Sequence, residues 1–152
     1  MYVELHASSA FSFLDGASLP EALVDRAAEL GYSALALLDR DGVYGAPRFH
    51  KAALAAGIKP IVGCELTIAP SSSICSHGEL RRGRTEASAK ADGASLPGPG
   101  LWRLPVLVES PEGYRNLCRL LTRMKLDAPK GEGVLTLEDL DGGATGLVAL
   151  AG

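Results

Sequence analysis

Two short apolar runs set between helical patterns constrain this chain more than any other feature. Ser33-Ala34-Leu35-Ala36-Leu37-Leu38 leads into Asp39, and Lys59-Pro60-Ile61-Val62-Gly63-Cys64-Glu65-Leu66-Thr67-Ile68 forms the second run. Continuous runs of this kind suit strands covered on both faces, as in parallel sheets. A helix fits Ala46–Ala56 between them and stops at Gly57. Ahead of them, Leu19, Leu23, Ala27 and Leu30 recur at helical spacing, and Gly31 ends the pattern. Ser18-Leu19-Pro20-Glu21 reads as a capping box for that helix, with Pro20 where a missing N–H costs nothing. Tyr2–His6 reads as a short strand, and Ala7–Gly16, rich in Ser and Phe, as the loop leaving it. The order β-α-β-α-β predicts a parallel α/β fold with helical crossovers.

From about Pro70 to Gly100 this rhythm stops. Ser-Ser-Ser, Arg-Arg-Gly-Arg and Pro-Gly-Pro-Gly offer almost no periodic apolar surface, so the stretch is expected to be a disordered surface insertion. The α/β rhythm then resumes, which makes residues 1–152 one interrupted domain rather than two. Arg103–Glu109 reads as a strand, and Glu112–Lys125 as a helix with Tyr114, Leu117, Leu121 and Met124 inward. Ala128–Gly133 is expected to turn, Thr136–Asp139 to start a short helix, and Leu147–Leu150 to form a last strand.

Apolar residues at 47% and charged residues at 22% are ordinary for a soluble globular protein. No apolar run approaches the roughly 20 residues that a spanning helix needs. The N-terminus lacks the basic and apolar regions of a secretion signal, so a cytoplasmic protein without a membrane partner is expected. Cys64, Cys75 and Cys118 are odd in number and form no CxxC pair, which fits reduced thiols. A net charge of −3 argues against a strong free-standing nucleic-acid binder. Charge is nevertheless local. Arg115, Arg119 and Arg123 fall at i, i+4 and i+8 on one helix face, either simply solvated or touching a partner domain or nucleic acid.

Functional residues in parallel α/β folds gather at the C-terminal ends of strands. His6, Asp39-Arg40-Asp41, Glu65 and Glu109 are candidates by that rule, and Asp15 lies in the loop after the first strand. His, Asp and Glu converging there suit a hard or borderline divalent metal, although a single His near a strand end is more often structural. His50, inside a helix, reads as packing or surface, and His77 near Cys75 as incidental. Neither a glycine-rich phosphate loop, nor GxSxG, nor zinc-ribbon spacing is present.

Four segments carry a family resemblance. Glu4-Leu5-His6-Ala7-Ser8-Ser9-Ala10-Phe11-Ser12-Phe13-Leu14-Asp15-Gly16 resembles the first motif of PHP (polymerase and histidinol phosphatase) domains, His-x-His-Ser followed by Phe-Ser-x-Leu-Asp-Gly. Leu38-Asp39-Arg40-Asp41-Gly42 resembles the second, Thr-Asp-His, and Gly63-Cys64-Glu65 the third, Gly-x-Glu. Gly113-Tyr114-Arg115-Asn116-Leu117 is similar to a Gly-Tyr-x-Asn-Leu segment of bacterial DNA polymerase III alpha subunits, nearest to their error-prone, DnaE-like branch.

The resemblance implies an incomplete distorted (β/α)7, TIM-like barrel, roughly its first five strands, in the N-terminal part of such a subunit. Family members bind metals at the strand ends. His6, Asp15 and Glu65 match ligand positions, whereas Ser8, Arg40 and Arg103 stand where His is expected. Guanidinium stays protonated and offers no lone pair, so Zn or Mn is expected only if the site survives those changes. Arg40 is expected to pair with Glu65 or Asp15 instead. The implied role is a catalytically degenerate structural or docking module of a polymerase engaged in DNA replication or repair synthesis. Its implied partners are the remainder of that polypeptide, DNA through it, and other replication or repair proteins. A metal-dependent phosphoesterase or 3'-5' exonuclease is the alternative, and a free-standing partner-binding protein a third reading. A partial barrel is further expected to expose a sheet edge, to be marginally stable and to associate.

Overall fold

A computed structural model of the chain describes residues 2–70, 100–126, 128 and 133–150. The expected insertion, with Cys75 and His77, falls almost wholly outside them, as does most of the 128–133 turn. The elements are β1 (Glu4–Ala7), α1 (Pro20–Glu29), β2 (Ala34–Arg40), α2 (Ala46–Ala55) and β3 (Lys59–Ala69). Then come β4 (Trp102–Val108), α3 (Pro111–Leu126), β5 (Leu135–Thr136), α4 (Leu137–Leu140) and β6 (Leu147–Ala149). They build one six-stranded sheet in the order β1-β2-β3-β4-β6, with β5 added to β3.

Strands β1, β2 and β3 run parallel, joined by α1 and α2 as the sequence predicts. β4 does not continue that sense: it returns antiparallel to β3, and β6 is antiparallel to β4. An antiparallel return requires a connection that begins and ends at one end of the sheet. Pro70 and Gly100 satisfy this, since a Cβ on Gly100 would lie 3.8 Å from Pro70 Cγ. The two-residue β5 was not legible as a strand; it extends β3 alongside Ile68 and Ala69, beyond the last residue paired with β2. Among the described residues the sheet does not close, and β1 and β6 are its edges.

All three long helices cover one face. Val24 and Ala27 of α1 and Phe49 and Ala53 of α2 pack on Leu35 and Leu37. Leu117, Leu120, Leu121 and Met124 of α3 pack on Cys64, Leu66, Ile68 and Val106. The register places Ala36, Leu38, Arg40, Gly63, Glu65, Arg103 and Leu107 on the opposite face. There a small cluster of Ala36, Leu38 and Leu107, with Ile61 and Leu150 against it, gives way to charged residues toward the end where β2 finishes. Helices outside and a polar-mouthed inner face are the layout of a barrel wall.

Helix stops match the sequence: Gly31 and Gly57 both sit at φ +72°, which L-residues resist. Helix faces match less well. Leu19 and Leu30 are each 49% exposed, while Val24 is buried, so α1 is rotated from the expected stripe. Tyr114 likewise points outward, and Asn116 and Leu120 take inner positions on α3. The Ser18 capping box is also absent. Leu19 is the N-cap and has no side-chain cap bond, while Glu21 reaches across to Arg48 at 2.6 Å. An ion pair between two helices has displaced the local contact.

A capping box does form at α4. The Thr136 hydroxyl receives the Asp139 N–H, and the Asp139 carboxylate receives the Thr136 N–H and O–H. Burial tends to raise the Asp139 carboxyl, but those bonds and Arg123 outweigh it and hold it below the ordinary value. A depressed carboxyl stabilises the fold above its unfolded pKa and loses that contribution as pH falls through the folded one. Asp139→Asn should therefore cost about 1 kcal/mol in urea titrations at neutral pH, with the difference closing as pH falls below the ordinary carboxylate value. An undiminished difference at low pH would rule out the carboxylate's charge as the source of the effect.

Cys64, at the centre of β3, is fully buried, and burial pushes its thiol up to about 12. Half-exposed Cys118 on α3 has no such shelter. Iodoacetamide at neutral pH should alkylate Cys118 readily and Cys64 only after unfolding. Equal labelling of the two in peptide mass maps of the folded chain would contradict this burial.

Candidate functional site

The charged residues of the inner face converge where β2 ends. Arg40 closes β2, Glu65 lies beside it in register on β3, and Arg103, second in β4, lies opposite Thr67. Because β4 is reversed, its first residues and not its last reach this end. Glu109, expected here as a strand-end residue, is at the far end of the sheet, where its N–H donates to Gly146. Glu65 is not a strand end either, since β3 runs on to Ala69.

Asp15 and His6 complete the group. Arg40 Nη1 lies 2.8 Å from Asp15 Oδ2, and Arg103 Nη1 lies 3.4 Å from the same oxygen and 3.0 Å from Glu65 Oε2. His6 Nε2 contacts the other Glu65 oxygen at 3.0 Å. A chain of contacts therefore runs His6–Glu65–Arg103–Asp15–Arg40, ending where Arg40 Nη2 donates to the Phe13 carbonyl at 3.0 Å. The expected pairing of Arg40 with Asp15 is present, and Arg103 is drawn in with it. The four ion-paired side chains are 13–23% exposed. Two carboxylates offset two guanidiniums, so the cluster is neutral apart from His6.

Ser8 turns away from this cluster and donates to the Leu38 carbonyl at 3.1 Å. The two aspartates flanking Arg40 are also used elsewhere. Asp41 accepts from the Thr67 N–H and hydroxyl, each at 2.8 Å. Asp39 is 2% exposed and accepts from the Ser9 N–H, the Ser9 hydroxyl and the Ser12 hydroxyl at 2.8–2.9 Å. Sequence reasoning missed this hub. Its only trace was a Ser-x-x-Ser loop ahead of an Asp at the end of an apolar run. Ser12 also receives the Arg40 N–H at 2.9 Å, so the hub fixes the loop carrying Asp15 against the strand carrying Arg40. Gly45 permits this packing, because a Cβ there would lie 2.7 Å from Asp39 Oδ2.

The donor set does not suit a divalent cation. A metal about 2.1 Å from a Glu65 oxygen would stand within about 5 Å of the Arg103 guanidinium. At that distance and an effective dielectric near 20, one fixed positive charge opposes a dication by roughly 6–7 kcal/mol. One oxygen of each carboxylate, Asp15 Oδ2 and Glu65 Oε2, is already engaged by guanidinium, and the other Glu65 oxygen by His6. Among the described residues, no three His, Cys, Asp or Glu side chains are grouped to hold an ion.

Arg115, Arg119 and Arg123 lie away from this site, exposed along α3. Arg123 pairs with Asp139 at 3.0 Å, and Arg119 contacts Asn116 at 3.4 Å. His50 is exposed on α2. No helix among the described residues is long and apolar enough to cross a membrane.

An error-prone DNA polymerase of Mycolicibacterium paratuberculosis is 47% identical over 125 residues, 82% of this chain and 10% of that protein. An error-prone DNA polymerase of Anaeromyxobacter sp. is 41% identical over 162 residues, 98% of this chain and 12% of that protein. The chain thus spans about a tenth of the length of the curated relatives it matches. In fold it resembles an amidohydrolase of Chromobacterium violaceum, with a TM-score of 0.52 and 24% identity over 80% of this chain and 32% of that one. The family model described as PHP domain matches residues 4–152, essentially the whole sheet and its helices, and the chain therefore belongs to the PHP domain family.

Proposed function

We propose that this chain is a catalytically degenerate PHP module of an error-prone DNA polymerase polypeptide, serving structure and docking rather than phosphoester hydrolysis. The observation that carries the reading is the pairing of Arg40 and Arg103 with Asp15 and Glu65. Guanidinium groups there supply the positive charge that would otherwise come from a metal, and so hold the carboxylates together without one. Such a cluster keeps the inner face ordered but provides neither an activated water nor a Lewis acid. The likeness to error-prone DNA polymerases over most of the chain supports a place within replication or repair synthesis. The remainder of such a polypeptide is then its first partner and DNA an indirect one.

Metal analysis tests this directly. Protein purified without chelator and incubated with micromolar Zn²⁺ or Mn²⁺ should retain well under one ion per chain and leave bis-p-nitrophenyl phosphate intact. One or more bound ions with metal-dependent hydrolysis would favour the phosphoesterase or exonuclease reading, with His6, Asp15 and Glu65 as ligands.

A further inference from the structure

Away from the ion-pair cluster, the outer side of α3 carries a groove that the proposed structural role leaves unused. Two depressions of about 360 and 400 Å³ meet there and share Cys118, Thr122 and Leu126. The turn between β2 and α2 forms one wall through Val43 and Tyr44. Leu126 is 79% and Tyr44 63% exposed, so large apolar groups stand in water on this groove. Its rim carries Arg119, Arg123 and Lys125 against Asp41, whose carboxylate is taken up by Thr67, and Arg115 continues the basic face one turn further up α3.

The helix dipole accounts for cations in the last turn, Arg123 and Lys125, and Arg123 is further engaged by Asp139. It does not account for Arg115 and Arg119 further up the helix, or for exposed Leu126 beside Tyr44. An apolar strip with a basic border is complementary to a segment with apolar anchors and acidic flanks. Nucleic acid would use the border but leave the strip unmatched, because its outer surface is phosphate.

We infer that this groove docks an acidic amphipathic helical segment of a partner protein. The sequence's Arg115, Arg119 and Arg123 spacing then marks a protein interface, independent of whether the ion-pair cluster binds metal.

The test uses the full 152-residue chain and a fluorescein-labelled helical peptide of about four turns, Leu on one face and Glu on the other. Saturable micromolar binding by anisotropy is expected, with amide shift changes centred on Tyr44, Cys118, Thr122 and Leu126. Both Thr122 and Arg119 are exposed, so their variants should fold. Arg119→Glu should weaken binding about tenfold. Thr122→Arg adds favourable charge yet fills the groove, so about tenfold weakening there separates docking from general attraction. A peptide with Lys in place of Glu should not bind, and a single-stranded oligonucleotide should bind more weakly than the acidic peptide. Absence of saturable binding, shifts elsewhere, indifference to both variants, or tighter binding of the oligonucleotide to α3 would each overturn the inference.

Discussion

Asp39→Ala should lower the stability of the chain by about 3–5 kcal/mol, a large fraction of what holds a small domain folded. The buried carboxylate receives one backbone and two hydroxyl donors, and no buried polar side-chain atom among the described residues lacks a partner with it present. Removing it strands the Ser9 N–H and both hydroxyls and leaves a void beneath Gly45. In a chain of this size the melting temperature should fall on the order of 10 °C. Asp39→Asn keeps the volume and one acceptor oxygen but presents an amide to donors, so about half that loss is expected. The loop holding Asp15 should loosen in both variants, because Ser12 links it to Arg40. If thermal and urea unfolding place Asp39→Ala within about 1 kcal/mol of the parent chain, the hub is not what fixes this loop.

Gly113→Ala should destabilise by about 2–3 kcal/mol, although helix propensity alone predicts a gain near 1 kcal/mol. Gly113 is in the first turn of α3, where the backbone of Gly146 presses against it. A Cβ there would fall on the Gly146 carbonyl oxygen, well inside van der Waals contact. Backbone atoms cannot swing aside as a side chain does, so α3 or the turn before β6 must shift. Asn116 makes the same junction from the next turn, donating to the Thr145 carbonyl at 2.9 Å. The Gly-Tyr-x-Asn-Leu segment is thus a docking motif for the turn at 145–146, with Leu117 seated in the core beneath. Opposite signs for propensity and packing make chemical denaturation decisive: a stabilised Gly113→Ala chain would mean that this contact is loose.

Local order was largely written in the sequence. The runs at Ser33–Leu38 and Lys59–Ile68 read as buried strands, and Gly31 and Gly57 as helix stops, because apolar clustering and backbone freedom act on nearest neighbours; β2 is buried almost throughout, β3 less evenly. The pairing of Arg40 with Asp15 or Glu65 was expected from the family resemblance, which set all three at ligand positions, and the fold brings Arg40 to Asp15 at 2.8 Å. Helix rotation was less secure. Leu19, Leu30 and Tyr114 match helical spacing, but Val24, Asn116 and Leu120 fit the space between helix and sheet, and exclusion from that space is not a property of spacing. The direction of β4 belonged wholly to the tertiary structure. A strand's sequence does not state its sense, so whether Arg103 or Glu109 reaches the mouth was settled when β4 paired antiparallel with β3. Asp39 likewise became a structural hub only when the fold enclosed it with Ser9 and Ser12. In sequence it stood beside Arg40 as one more acid at a strand end. In the fold the direction of its side chain, onto the helix-bearing face under the loop, took it out of the charged mouth and into the core.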